Sequence, residues 1–123
     1  MNLIRSPGLR YVHRTEPGAF DWDGTTLSKD PVWHTLSLAA IVPANAKLVC
    51  LKWQGSSATV GSRFMVAKVG ETGQISNFLL AAVVSGKTMY QSGIVDCLGN
   101  QIAYMIDTAI WTNLGMVVTG WFV

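Results

Sequence analysis

The sequence predicts an all-β protein, an antiparallel β-sandwich of about eight strands preceded by an irregular arm, and three observations carry that expectation. From Trp33 onward apolar and polar residues alternate with a period of two. Gly, Pro, Asn and Ser clusters interrupt the alternation at roughly ten-residue spacing, as in sandwiches and barrels. No stretch of ten or more residues repeats apolar positions at three and four, as an amphipathic helix would.

Residues 1–31 follow a different grammar. Pro7-Gly8, Pro17-Gly18, Asp23-Gly24 and Asp30-Pro31 leave room for short extended pieces only. The segment reads as an assembly arm in front of a 32–123 domain. Tyr11, Phe20 and Trp22 are costly to leave in water, so they are expected to lie along a neighbouring subunit, or along the chain's own domain if the arm folds back as an extra strand.

The body then divides in order. Trp33–Leu38 places His34, Leu36 and Leu38 on one side and Trp33, Thr35 and Ser37 on the other. Further runs rich in β-branched and aromatic residues cover Lys47–Trp53, Ser62–Val69, Ser76–Val84, Gly93–Leu98, Gln101–Asp107 and Leu114–Val123, with a short one at Lys87–Gln91. Leu and Ala within Asn77–Val84 also suit a helix, but Gly86 and the flanking strands favour a buried strand. Pro43-Ala44-Asn45, Gly55-Ser56-Ser57, Gly70-Glu71-Thr72-Gly73, Ser85-Gly86 and Gly99-Asn100 separate the runs, the last reading as a two-residue hairpin. The count suits a jelly-roll-like sandwich.

Charge is scarce. Only 13% of residues are Asp, Glu, Lys or Arg, where ordinary domains carry roughly 25%. Between Val32 and Val123 they are Lys47, Lys52, Arg63, Lys68, Glu71, Lys87, Asp96 and Asp107. A surface so poor in charge points to burial against other subunits, hence to a homo-oligomer. A net charge of +2 gives no footprint for nucleic acid, and Arg5, Arg10, His13 and Arg14 read as a solvated basic stretch. No membrane partner is expected: the longest apolar run, Phe78–Val84, is far short of a spanning helix, and Met1–Arg14 has no apolar segment of the kind an export signal needs. Cys50 and Cys97 sit in apolar runs and read as small buried hydrophobes.

Candidate chemical sites are weak. Gly86-Lys87-Thr88 ends like a phosphate-binding loop, but Ala81 occupies the position that needs glycine, so the tripeptide reads as a hairpin turn. Asp21-Trp22-Asp23-Gly24 begins like a calcium loop, yet the twelfth position is Val32 where a bidentate Glu belongs. His13 and His34 are a thin supply of bases, no Gly-x-Ser-x-Gly elbow exists, and nothing selects Asp96 and Asp107 as a carboxylate pair, although near the ends of adjacent strands in the Gly99-Asn100 hairpin they could approach each other. No catalytic, cofactor or metal residues are assigned. Among Trp22, Trp33, Trp53, Trp111 and Trp121, Trp111 is the strongest candidate for ligand contact because it lies where one strand leaves for the next.

Several segments carry a resemblance: Trp33-His34-Thr35-Leu36-Ser37-Leu38, then Ile41-Val42-Pro43-Ala44-Asn45-Ala46 and Leu48-Val49-Cys50-Leu51. Ser62-Arg63-Phe64-Met65-Val66-Ala67-Lys68, Gln101-Ile102-Ala103-Tyr104 and Val117-Val118-Thr119-Gly120-Trp121-Phe122 continue it. In hydrophobic spacing and turns, about three-quarters of the chain resembles the β-sandwich modules of tailed-bacteriophage virion proteins of the tail, baseplate, head-fibre or capsid-decoration type. The resemblance implies a non-enzymatic structural subunit of the virion, assembled in the host cytoplasm as a trimer or larger ring with other virion proteins. The alternative expectation is a module that binds a carbohydrate or host-surface glycan through exposed Trp and Tyr.

Overall fold

Strand-forming side chains alternate in burial along β4 (Leu48–Ser56), where Val49, Leu51 and Trp53 turn inward while Lys52 is exposed. A computed structural model describes residues 8–71 and 78–123, and among them every regular element is a strand. The others are β1 (Tyr11–His13), β2 (Trp22–Asp23), β3 (Asp30–Ser37), β5 (Arg63–Ala67), β6 (Phe78–Ala81), β7 (Met89–Asp96), β8 (Gln101–Ile106) and β9 (Thr112–Phe122).

They form two antiparallel sheets. In the first, β7, β4 and β9 lie side by side, and β1 and β2 share the far edge of β9. In the second the order is β3-β8-β5-β6. The arm strands pair with the last strand, β3 with β8, β4 with β7, and β5 with β6. That nesting is what one long hairpin makes when it is rolled across two layers. Between the layers, Trp53, Phe64, Leu51, Ile102, Ile106, Met116 and Trp111 form a core from which water is almost wholly excluded. Tilted and edge-on ring contacts link Trp53 to Phe64 and Phe78, and Phe64 to Trp111, at centroid separations of 6.3–6.4 Å.

The body runs of the sequence appear as strands, with three revisions, the first being that β4 runs on through Gly55 and Ser56 where a turn is expected. Lys87–Gln91 and Gly93–Leu98 are one strand, β7, because Gly93 does not break the ladder. It makes room for Phe78, whose ring atoms lie 2.9–3.0 Å from where a Cβ would sit. The run expected over Ser76–Val84 is a strand only over Phe78–Ala81; Ser76 and Asn77 lie outside the described residues.

Turn chemistry is correct locally at Gly99-Asn100 but not at Gly55-Ser56, which continue β4, and the partners it suggests are not the ones formed. Gly99 and Asn100 adopt left-handed backbone (φ 79° and 61°), as a tight reversal requires. The strands they join nevertheless belong to different sheets, β7 pairing with β4, and β8 with β3 and β5. Gly86-Lys87-Thr88 likewise links β6 of one sheet to β7 of the other, and is not a hairpin turn.

The arm is the larger correction. From Gly8 to Pro31 it does not reach away from the body: it completes the first sheet. β9 is long, and its outer edge would otherwise leave backbone N–H and C=O groups without partners. Tyr11–His13 pairs with Gly120–Phe122, and Trp22–Asp23 with Gly115–Met116. In the gap between them side chains replace the ladder. Arg14 donates from Nη1 and Nη2 to Asp21 (2.6 and 2.9 Å) and from Nη1 to the Val118 carbonyl (3.0 Å), while Asp21 Oδ2 accepts the Val118 N–H at 2.8 Å. The boundary expected at Asp30-Pro31 also dissolves, since both residues belong to β3.

Candidate functional site

Two glycines of β9 and two aromatic residues of the arm fit one another. A Cβ on Gly115 would collide with the ring of Phe20, and one on Gly120 with the ring of Tyr11. Bare backbone on the outer face of the first sheet is thus covered by rings, a pairing known to stabilise sheet glycines. Tyr11 also packs on Phe122 at 5.2 Å and approaches the Thr119 carbonyl with its hydroxyl. Trp22, the third arm aromatic, packs against the core. All three serve their own sandwich.

Phe20 forms one wall of an open groove on that face. Gln54 pairs in register with Gly115 on one side and Tyr90 on the other, so Phe20, Gln54 and Tyr90 make one row across three strands. Lys52, paired with Val117 and Ser92, makes the row beside it. The rows bound a cavity of about 400 Å³, and a second of about 350 Å³ continues past Phe20 toward Glu16 and Thr119. Tyr90 is 73% exposed, the most exposed of the large hydrophobic side chains described. The amides are held in place: Gln54 Nε2 donates to the Asn113 carbonyl at 3.1 Å. Gln91 Nε2 donates to the Leu79 carbonyl, and its Oε1 accepts the Ser92 N–H. Lys52 has no carboxylate within salt-bridge distance among the described residues.

Trp111, the residue expected to meet a ligand, is instead 0% exposed. Gly55 lies beneath its ring, and Nε1 donates to Asp107 Oδ1 at 3.2 Å. Its place between strands does not put it on the surface, because only Trp111 of the β8–β9 connection turns into the core while Ile110 beside it stays exposed. Asp96 and Asp107 do not meet either: Asp96 faces Lys68 at one end of the sandwich, and Asp107 faces Arg63 at the other. Asp23 behaves as a turn residue. Hydrogen bonds from the Thr25 hydroxyl and N–H hold its carboxyl below the usual range. His34, half-buried in β3, shares a 2.6 Å hydrogen bond with Asp30 and stacks near Tyr104. Of the groove residues, Lys52 and Gln54 had one signal in the sequence, the polar positions alternating with Leu51 and Trp53, and Tyr90 had none.

Both cysteines are free. Burial, with a smaller push from Asp96, raises the Cys97 thiol to about 11, and burial also raises Cys50. At pH 8 a disulfide reagent should therefore leave Cys97 unmodified in the native protein and modify it promptly in denaturant. Prompt native reaction at Cys97 would show that this end of the core opens. In the unfolded chain the thiol ionises near pH 9, so its contribution to stability is complete below that and declines as pH rises toward 11.

No protein-family model matches the sequence and no curated protein matches it, so the reading of the site rests on its own geometry.

Proposed function

We propose that this chain is a non-enzymatic virion structural subunit, of the tail, fibre or capsid-decoration kind, that assembles with copies of itself through uncharged apolar surface. The observation that supports assembly is a cap of aliphatic side chains at one end of the sandwich. Val60 in the β4–β5 connection and Val83 in the β6–β7 connection are each 61% exposed, and Val84 and Ile110 are also exposed in the same set of end loops. The first two connections are tied together: Gly61 donates to the Ala82 carbonyl, Gly86 to the Ser57 carbonyl and Ser85 Oγ to the Ala58 carbonyl. A tied platform presents its branched side chains without first having to be ordered, which lowers the cost of association.

Charge supports the same reading. Lys87 and Asp107 are the charged residues of the three connections, and Asp107 is already paired with Arg63. The nested strand pairing supports a jelly-roll reading of the sandwich, and the virion role rests on the sequence resemblance. Sedimentation velocity at micromolar concentration should give a multiple of the 13.3 kDa chain mass. The double substitution Val60→Glu, Val83→Glu should weaken association at least tenfold and leave the thermal midpoint within a few degrees. A native protein that sediments as a monomer overturns the assembly reading, and purified particles lacking the chain overturn the virion one.

A further inference from the structure

We propose that the groove between Phe20 and Tyr90 on the outer face of the first sheet binds a neutral oligosaccharide. This stands apart from the assembly reading, since the groove is on a sheet face and the aliphatic cap is at the sandwich end. Four features select the ligand class.

The walls are aromatic. Phe20 and Tyr90 stand roughly two inter-strand spacings, about 10 Å, apart across β9, β4 and β7. Exposed rings so placed can stack on the C–H faces of successive sugar rings, each gaining apolar contact that water does not supply. Between them the floor is polar, with Lys52 as the one charged group lining the cleft between the rings. With one N–H of Gln54 committed to the Asn113 carbonyl, its Oε1 and second N–H are fixed in orientation and have no hydrogen-bond partner among the described residues. Ser92 and Lys52 add a hydroxyl and an ammonium on the next row. Sugar hydroxyls both donate and accept, and this set offers both.

Charge excludes the main competitors. Lys52, the one cation lining the two clefts, cannot track a phosphate backbone, which needs several cations in line, and Glu16 in the second cleft would repel one. An aliphatic protein surface would strand Gln54, Lys52 and Ser92 without hydrogen bonds, each at the cost of its desolvation. Finally, the size is right: a cleft of about 400 Å³, extended past Phe20 by another of about 350 Å³, suits a short chain of rings running across the strands. The arm has a role in this. The Arg14–Asp21 clamp closes the loop that carries Phe20, and Gly115 supplies the bare backbone that seats it.

The test is calorimetric titration of the full chain with neutral hexaoses of glucose, mannose, galactose and N-acetylglucosamine in α and β linkages, with oligogalacturonate as the acidic arm. At least one neutral hexaose should bind with a dissociation constant in the micromolar to low millimolar range. Tyr90→Ala and Phe20→Ala should each weaken it at least tenfold, Tyr90→Phe should retain it within about threefold, and Gln54→Ala should fall between. Tyr90 is so exposed that its alanine variant will fold, and unchanged sedimentation and thermal midpoint will show that it has. Gly115→Val should also abolish binding by displacing Phe20. Three outcomes overturn the proposal: no neutral hexaose binds at millimolar concentration, Tyr90→Ala binds as well as the native chain, or only oligogalacturonate binds and does so through Lys52, as judged by its loss in Lys52→Gln.

Discussion

Replacing Trp111 by alanine should destabilise the protein by about 3–5 kcal/mol, the range for deleting a large buried aromatic side chain, and so remove a large part of the 5–15 kcal/mol that holds an ordinary domain together. The ring is fully excluded from water, meets Phe64 edge-on at 6.4 Å and closes the core where β8 passes into β9. Its loss also deprives Asp107 of the indole N–H, leaving the carboxylate with Arg63 alone. Gly55 is the complementary position. A Cβ there would lie 2.7 Å from Trp111 Cε3 and 3.0 Å from Leu114 Cδ2, so Gly55→Ala alone should cost about 1–3 kcal/mol by overpacking. In the double variant Trp111→Ala, Gly55→Ala the new methyl enters space that the indole has vacated. The combined loss in urea unfolding should therefore be smaller than the sum of the single losses by about 1 kcal/mol or more. Strict additivity would mean that the ring and the glycine are not in contact.

The same pair shows which parts of the molecule the sequence disclosed. Turn glycines are legible because their demand is local. Gly70, Gly86 and Gly99 sit in Gly/Ser/Asn clusters between alternating runs, and each adopts the left-handed backbone that such clusters signal. Strand glycines are not legible. Gly55, Gly93, Gly115 and Gly120 each lie under an aromatic ring from a segment remote in sequence, and nothing around them says which ring. Alternation locates most strands within a few residues for a similar reason, since each inward position needs only to be apolar. Pairing across the two layers depends on residues dozens of positions away, so Gly99-Asn100 and Gly86-Lys87 resemble hairpins while linking sheets.

Site residues divide along the same line. Tyr11, Phe20 and Trp22 stand out in the arm because aromatic residues amid Pro and Gly need somewhere to pack, and the structure gives each a place on or within its own sandwich. Folding back along the body was one of the two expected outcomes, but the strand that receives them was beyond the sequence, since it is β9, about a hundred residues later. Trp111 shows the reverse failure, in that position at a strand end does not distinguish a ring lying over the core from one facing water. Tyr90, by contrast, occupies an ordinary strand position and gains its significance only from Gln54 and Phe20 in the same row.

Substituting Asp21 by alanine is expected to cost about 3 kcal/mol, near the low end for breaking a buried ion pair because Arg14 and Asp21 retain 20% and 10% side-chain exposure. Two losses combine. Arg14 keeps its contact with the Val118 carbonyl but no longer has a carboxylate to neutralise it, and the Val118 N–H loses its acceptor. The ladder is already interrupted here, so no neighbouring backbone group is placed to substitute. Asp21→Asn, which retains an acceptor but no charge, should cost less, and the double variant Arg14→Ala, Asp21→Ala should cost less than the sum of its singles because it leaves no unpaired charge behind. Hydrogen exchange locates the effect. The amides of Val118 and Arg14, the latter donating to the Thr119 carbonyl, should exchange faster in Asp21→Ala, while those of Phe64 and Ile102 in the other sheet change only as far as global stability does. A loss below about 0.5 kcal/mol would place this pair among ordinary surface ion pairs and leave the β1 and β2 ladders alone holding the arm. The larger loss would make the clamp the element that keeps β9 from presenting a free edge, and with it the seat on which Phe20 rests.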